Sequence, residues 1–283
     1  PMTHRMPHGA GLGFRRELLA ELKAAVPANI DFFELAPENW AGMGGRSARD
    51  LRHFTERHPF VCHGLSLSLG GPAPLDTALL QRIRAFMAEH GIGLYTEHLS
   101  WCADDHHLYE LLPIPLTGDA VRWTAARIRQ VQDILGCRIG IENASTYLSP
   151  PGAEMSEAAF ISAVVAEADC LLHLDVNNIY VNSANFGFDP FAFLHALPLD
   201  RTCYIHVAGH YVEADGLLVD THGAAVIDPV WALLTAAYER IGRPVPTCLE
   251  RDFNIPDLAA LSAEVGHIAR LQSQAAGRQR QVA

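Results

Sequence analysis

The sequence predicts a single α/β domain of the (β/α)8 TIM-barrel class, and three observations carry that expectation. Eight short runs rich in β-formers alternate with segments of helical period, which implies parallel strands joined by helices. The polar and titratable residues gather at the C-terminal ends of those runs, where a closed parallel barrel would bring them to one face. A chain of 283 residues with 49% hydrophobic and 19% charged content can bury one large core. No linker or low-complexity segment divides residues 1–272, and the tail at 273–283, within "QSQAAGRQRQVA", reads as disordered. An open doubly wound sheet is the alternative arrangement of the same elements.

The elements follow in order along the chain. "GLGF" is the first strand, and a first helix carrying Lys23 comes after it. "IDFFELAPE" and "FVCHGLSLS" are the second and third strands; Leu75, Leu79, Ile83 and Met87 then repeat at helical spacing up to a stop at Gly91. "GLYTEHLSW" is the fourth strand, and "CADDHHLYELLP" after it suggests a hairpin over the barrel mouth, with His106 and His107 as channel-lining residues. Val121, Ala125, Ile128, Val131 and Leu135 form the next helical stripe, ended by Gly136. "RIGIENAS" and "CLLHLDVNN" are strands five and six, and Asp189-Pro190 reads as a cap and first helical residue. "CYIHVAGH" is strand seven, Asp228-Pro229 caps the following helix, and "PTCLERD" is strand eight. The last helix carries Leu258, Leu261, Val265, Ile268 and Leu271. "GAGLG" near the start precedes its strand and lacks a third glycine, so it is a poor dinucleotide fingerprint.

Composition excludes several partners. A net charge of -11 with few basic clusters gives no attraction to nucleic acid or to an anionic membrane surface. No window reaches the length of a transmembrane helix, and "PMTHRMPHGAGLGF" lacks the apolar core of a signal peptide, so a soluble, cytoplasmic protein is expected. The six cysteines show no CxxC spacing and lie mostly in apolar runs, which suits reduced, buried thiols.

Histidine is over-represented, with fifteen in all. A lone strand histidine is usually a hydrogen-bonded core residue, and a lone strand-end carboxylate often caps the next helix. Here they coincide: Glu34, Glu38 and Asn39 end strand two, His63 lies in strand three, Glu97 and His98 in strand four, and Glu142 and Asn143 in strand five. Strand six brings His173, Asp175, Asn177 and Asn178; strand seven brings His206 and His210, followed by Asp220 and His222; strand eight brings Glu250, Arg251 and Asp252. Carboxylates packed at one barrel mouth repel one another unless protonated or bridged by cations, and the interspersed imidazoles are donors for a transition metal. The mixed set suits iron, manganese or zinc, and it exceeds the needs of one ion. His4, His8, His53, His58, His90, His195 and His267 fall on predicted loops or helices and are expected to be solvated or capping.

The strings "HGLSLSLG", "TEHLSW", "IENAS", "HLDVNNIYVN", "YIHVAGH", "VDTHG" and "LER", running in order from residue 63 to 251, resemble the motif series of the DUF692 (UPF0276) family, the multinuclear non-heme iron-dependent oxidative enzymes. The resemblance implies a xylose isomerase-like barrel holding two or three iron ions, mixed-valent Fe(II)/Fe(III), with dioxygen as co-substrate. It places one iron on His63, His98 and Glu142, and a second on the shared Glu142 with Asp175, His206 and Glu250. A third would use Asn178, His210, Asp220 and His222. Glu142, Asp175 and His206 would form the catalytic heart, while His173, Glu97, Asn143, Asn177 and Arg251 would support ligands or substrate. The implied chemistry is oxidation of a cysteine in a ribosomally synthesised precursor peptide, beside a small companion protein that presents it. The segments "APENWAGMGG" and "NNIYVNSANFGFDP" are then read as mouth loops that hold an extended peptide.

Two other classes use similar parts. A multinuclear zinc phosphodiesterase of the endonuclease IV kind would need a basic rim that this chain lacks. A sugar isomerase would need a lysine near its metals, and the single lysine, Lys23, is on the first helix. A non-catalytic metal-binding protein is compatible with the donor residues alone.

Overall fold

A computed structural model describes residues 4–103 and 107–282. Eight parallel strands close into the expected barrel: β1 (Ala10–Gly13), β2 (Phe32–Leu35), β3 (Phe60–Gly64), β4 (Leu94–Leu99), β7 (Gly140–Asn143), β8 (Leu171–Asp175), β9 (Thr202–Ala208) and β12 (Thr247–Glu250). The closing pair is β1 with β12, which leaves no open sheet edge. Two small hairpins rise from the mouth, β5 (Trp101–Ala103) with β6 (His107–Leu112), and β10 (Tyr211–Val212) with β11 (Leu218–Val219). The first is the excursion expected after strand four; His106 lies outside the described residues, as does the side chain of His107, and with them their channel-lining role.

The surrounding helices are α1 (Leu19–Ala24), α2 (Gly45–Thr55), α3 (Thr77–His90), α4 (Gly118–Leu135), α5 (Glu157–Ala168), α6 (Val176–Phe186), α7 (Pro190–Ala196), α8 (Asp228–Ile241) and α9 (Leu258–Val282). Their ends follow local chemistry. Asp76, Thr117, Ser156 and Asp189 accept hydrogen bonds from first-turn amides, and Gly91 and Gly136 take left-handed φ values of 64° and 75° that end α3 and α4. At α8 the cap is Ile227, one residue before the expected Asp228, which instead opens the helix with Pro229.

Side-chain alternation divides the barrel into two environments. Outward residues such as Ile141, Leu172, Leu174, Ile205, Val207 and Leu249 are fully buried against the helices. A second apolar cluster comprises Phe32, Val61, Leu94, Tyr204 and Cys248. Two residues further along the same strands stand Glu34, His63, Thr96, His206 and Glu250. Period-2 geometry therefore seats a titratable layer directly on an apolar floor.

Several expectations change. The segment 273–283 is helical as far as Val282, because its Gln, Ala and Arg residues favour helix and α9 is tied down on both sides. Gln272 donates to the carbonyls of Gly9 and Val245, Ala275 is buried, and Arg278 pairs with Glu239. "NNIYVNSANF" is the helix α6 rather than a loop, since Asp175 caps it and Ile179 and Val181 bury its apolar side. Trp40 is buried beside Phe14 under the Arg16 guanidinium, and so is no peptide-holding side chain. His90 is also buried, with Nδ1 2.8 Å from Thr55 Oγ1, and His267 stacks on Trp231.

Candidate metal centre

Strand register assembles the centre. Glu142 sits between His98 and His173 in the β4, β7, β8 ladder, and Asp175 lies beside His206. From this arrangement three nearly equidistant atoms converge: His63 Nε2 and His98 Nε2 are 3.2 Å apart, and Glu142 Oε2 is 3.2 and 3.3 Å from them. Two imidazole nitrogens and a carboxylate oxygen at such spacing can share one cation: the two Nε2 atoms are within hydrogen-bond reach of each other, while Glu142 Oε2 is buried and makes no hydrogen bond. The other carboxylate oxygen, Oε1, is 3.2 Å from His206 Nδ1, which in turn lies 3.1 Å from Glu250 Oε2 and 3.8 Å from Asp175 Oδ2. Glu142, Asp175, His206 and Glu250 thus offer a second convergent set.

The chain of groups continues outward. His222 Nδ1 is 3.5 Å from Glu250 Oε2, and His222 Nε2 is 2.7 Å from Asp220 Oδ1 without hydrogen-bond alignment. Asn177 donates to Asp220 Oδ1 at 2.8 Å, Ser145 donates to Asp220 Oδ2 at 3.0 Å, and Asn177 Oδ1 lies 2.9 Å from His210 Nδ1. His210 therefore reaches Asp220 through Asn177. Asn178 is directed elsewhere, donating its side-chain amide to the Asn143 carbonyl, while its buried Oδ1 has no partner among the described residues. His222 holds a left-handed φ of 51°, fixed by the Asp252 amide donating to its carbonyl.

Each convergent imidazole is oriented from behind, as a metal-binding histidine requires. His63 Nδ1 lies 2.8 Å from Thr96 Oγ1, His98 Nδ1 3.3 Å from Glu97 Oε1, and His222 Nδ1 2.9 Å from Asp252 Oδ2. His206 is reversed: its Nε2 lies 2.5 Å from Glu34 Oε2, which also accepts from the Tyr204 hydroxyl. Glu97 is itself anchored by the Tyr95 hydroxyl, and Gly64 is required beside that hydroxyl because a Cβ would overlap it. Asn143 and the Asp175 backbone exchange two hydrogen bonds, locking β7 to β8 below the mouth. Of these supports the sequence placed Glu34 and Asp252 at the mouth without assigning them to a ring, and Thr96 went unnamed; the signal was alternation, since Thr96 precedes His98 by two and Glu34 follows Phe32 by two.

Electrostatics point the same way. Burial pushes the Glu142 carboxyl up, but His173, His63 and His98 outweigh it and hold the group well below the usual range. Asp175 is pushed well above its ordinary value by burial and by Glu142 and Asp220. Burial opposes protonation of the imidazoles, yet the carboxylates overcome it: Glu142 and Glu97 raise His98 to about 9, and Asp220 and Glu250 raise His222 to about 10. Among protein groups alone, protons on imidazole supply the positive charge that this acid-rich layer demands; a metal cation would supply it at the points of convergence. His173 differs: burial and then His206 push its imidazole well below the ordinary value, against the opposing pull of Glu142, and neither nitrogen is hydrogen-bonded among the described residues. It packs edge-on against His206, with ring centroids 4.1 Å apart. Cys248 adjoins Glu34 and His206, and burial together with the Glu34 carboxylate keeps it a thiol against the opposing pull of His206. All six cysteines are free. Arg251 has buried guanidinium nitrogens with no partner among the described residues.

The buried, orphaned donors and the mixed nitrogen and oxygen set fit a multinuclear transition-metal site. The centre opens outward at His98, His222 and Asp220, whose side chains keep 17, 14 and 11% exposure, whereas Asp175, His173 and His206 have none. Among the described residues no helix is long and apolar enough to cross a membrane.

Solved structures with the same fold include a D-psicose 3-epimerase from Clostridium cellulolyticum H10, with TM-score 0.58, 12% identity and 98 and 99% of the two chains covered. A xylose isomerase-like TIM-barrel protein from Mycobacterium smegmatis, in complex with magnesium, gives TM-score 0.58 at 11% identity, covering 92 and 88%. Identities this low establish architecture alone. Far nearer in sequence are the UPF0276 proteins of Nitrosospira multiformis, 63% identical over 93% of both chains, and of Pseudomonas aeruginosa PAO1, 53% identical over 96 and 95%. The profile of the RiPP precursor modification enzyme family MbnB/TglH/ChrH matches residues 9–273, which is the barrel from its first strand through most of α9. A titratable layer held at the strand ends and a match across the whole barrel together make this chain a member of that family of RiPP precursor modification enzymes.

Proposed function

We propose that the protein oxidises cysteine in a ribosomally synthesised precursor peptide, using two or three iron ions and dioxygen, in the cytoplasm and with a small companion protein that presents the peptide. The observation that carries this reading is the sharing of Glu142: one oxygen converges with His63 and His98, the other with His206, Asp175 and Glu250. A carboxylate split between two convergent sets suits two adjacent ions. His63, His98, Glu142, Asp175, His206 and Glu250 would hold the inner pair. His210, Asp220 and His222 would hold an outer ion, with Asn178 offering the buried Oδ1 that its bond to the Asn143 carbonyl leaves unpartnered among the described residues.

Bound iron would supply thiolate binding and one-electron chemistry with dioxygen. The chain's own residues do the rest. Thr96, Glu97, Glu34 and Asp252 fix which imidazole nitrogen faces inward and which carries a proton. The apolar floor beneath excludes water, and the carboxylates Glu142 and Glu250, both held below their ordinary values, keep the layer anionic enough to retain cations. The more exposed edge at His98, Asp220 and His222 leaves room for a peptide thiol to approach.

An isomerase reading has no lysine to use, since Lys23 is on α1 and pairs with Asp50 at 2.6 Å. Anaerobic metal analysis with visible and Mössbauer spectra tests the proposal. At least two irons per chain, with parameters altered by a cysteine peptide but not by its serine analogue, are expected. Zinc alone, or iron indifferent to the cysteine, would overturn it.

A further inference from the structure

Beside the cluster, a cavity of about 480 Å³ opens above the end of β7. Asn143 and Ala144, which directly follow Glu142, form part of its wall, so cavity and cluster share one stretch of backbone. Phe160, Phe186, Phe188 and Phe193 make the rest largely apolar. Into this wall the first turn of α5 contributes Glu157, whose carboxyl has no hydrogen bond or ion pair among the described residues. Asp189, also on the wall, is already committed as the cap of α7, its Oδ1 accepting from the Phe191 amide at 2.9 Å.

A partly buried, unpartnered carboxyl on this largely apolar wall is disfavoured when charged, and desolvation accordingly pushes Glu157 up to about 7. Such a group is satisfied when a ligand brings the missing cation. The walls suit methylenes, the phenyl faces suit an ammonium or guanidinium, and the net charge of -11 favours a cationic visitor.

We propose that this cavity is a specificity pocket for a substrate side chain with a long apolar stem and a cationic end, of the lysine or arginine kind, carried by the peptide near its reacting residue and paired by Glu157. The assignment rests on reading the neighbouring cluster as the centre that acts on a peptide. It gives the enzyme a means of choosing among cysteines that the cluster alone would treat alike.

The test uses the full chain with two probes of equal length, hexylammonium and 1-hexanol, each titrated while the methyl resonances of Leu99, Ile114 and Ile161 are followed. Hexylammonium should shift these methyls and bind more tightly than hexanol. Glu157→Gln should weaken the amine about tenfold, the size of a charge-assisted hydrogen bond in a recessed site, and leave hexanol unchanged. Ala192→Trp, which fills the cavity, should abolish both. Equal affinity for the two probes, an unchanged amine affinity in Glu157→Gln, or amine binding that survives Ala192→Trp would each overturn the pocket. Neither iron nor oxygen enters this measurement. Iron uptake without amine binding therefore sinks the pocket alone, and amine binding in a chain that takes up no iron sinks the oxidative reading alone.

Discussion

Glu34 shows how much of the centre depends on residues that would touch no metal. Its Oε2 lies 2.5 Å from His206 Nε2 and so fixes that ring with Nδ1 toward Glu142, Asp175 and Glu250. Glu34→Gln keeps the volume but removes the charge that holds the imidazole proton, so iron affinity should fall about 10- to 100-fold with the barrel intact. Metal titration with circular dichroism checks this, and unchanged affinity would reduce Glu34 to packing. Glu157 yields a pH dependence of known sign. Its folded-state value of about 7 lies above the ordinary 4.5, so between those limits the folded protein binds more protons than the unfolded chain. Stability contributed by this group therefore declines as pH rises from about 4.5 through 7, by roughly 1–3 kcal/mol in all. Urea midpoints at pH 5 and 8 should show Glu157→Gln gaining on the wild type only at the higher pH; equal offsets at both would contradict the assignment. That these side chains come together was legible because strand-end histidines and carboxylates of a closed parallel barrel meet at one mouth. Thr96 was not, and Asp252 was placed at the mouth without its part in orienting His222, since a hydroxyl or carboxylate that orients a ring has no spacing signature until the strands are in register.

At the scale of elements, periodicity located every barrel strand, because each run is β-rich outside and polar only at its end. It failed at α6. The stretch after Asp175 is rich in Asn, a poor helix former in isolation, and only the Asp175 cap and the burial of Asn177, Asn178 and Asn182 against the mouth make it helical. Asp175 therefore has two duties, with Oδ1 accepting from the Asn178 amide at 2.8 Å and Oδ2 facing the cluster. The β10–β11 hairpin and the turn after it do the corresponding job for Asp220 and His222, bringing them in from outside the barrel. Their distance from the floor makes the outer set separable. Asp220→Ala with His222→Ala should remove about one equivalent of metal while the inner pair around Glu142 persists. Iron counted per chain in the purified variant decides the matter. Loss of all metal together would mean that the turn supports the inner pair through the His222 to Glu250 contact rather than holding an ion of its own.

For the molecule as a whole, the barrel stacks an acid-rich titratable layer on an apolar floor and covers neither with a sheet edge, so the cost of that layer must be met by whatever neutralises it. Protons on His98, His206 and His222 do so in the protein alone, and their displacement couples metal binding to folding. A ligand that binds only the folded state at a thousandfold excess over its dissociation constant adds about 4 kcal/mol, which for a chain of this size raises the melting temperature by about 8 °C. Anaerobic iron should therefore shift the melting temperature upward by that order, and chelator should reverse it. Glu142→Gln separates this effect from ordinary packing. The amide fills the same volume and buries the same stem, and the imidazoles around it can release protons to compensate for the lost charge, so the metal-free variant should melt within about 3 °C of wild type. With iron present it should gain much less than wild type does, because both convergent sets lose the carboxylate they share. Scanning calorimetry of the two proteins, each with chelator and with ferrous iron, provides the four numbers needed. A variant that keeps the whole iron-induced rise would remove Glu142 from the centre, and a metal-free variant that melts far lower would make it a structural residue of the barrel instead.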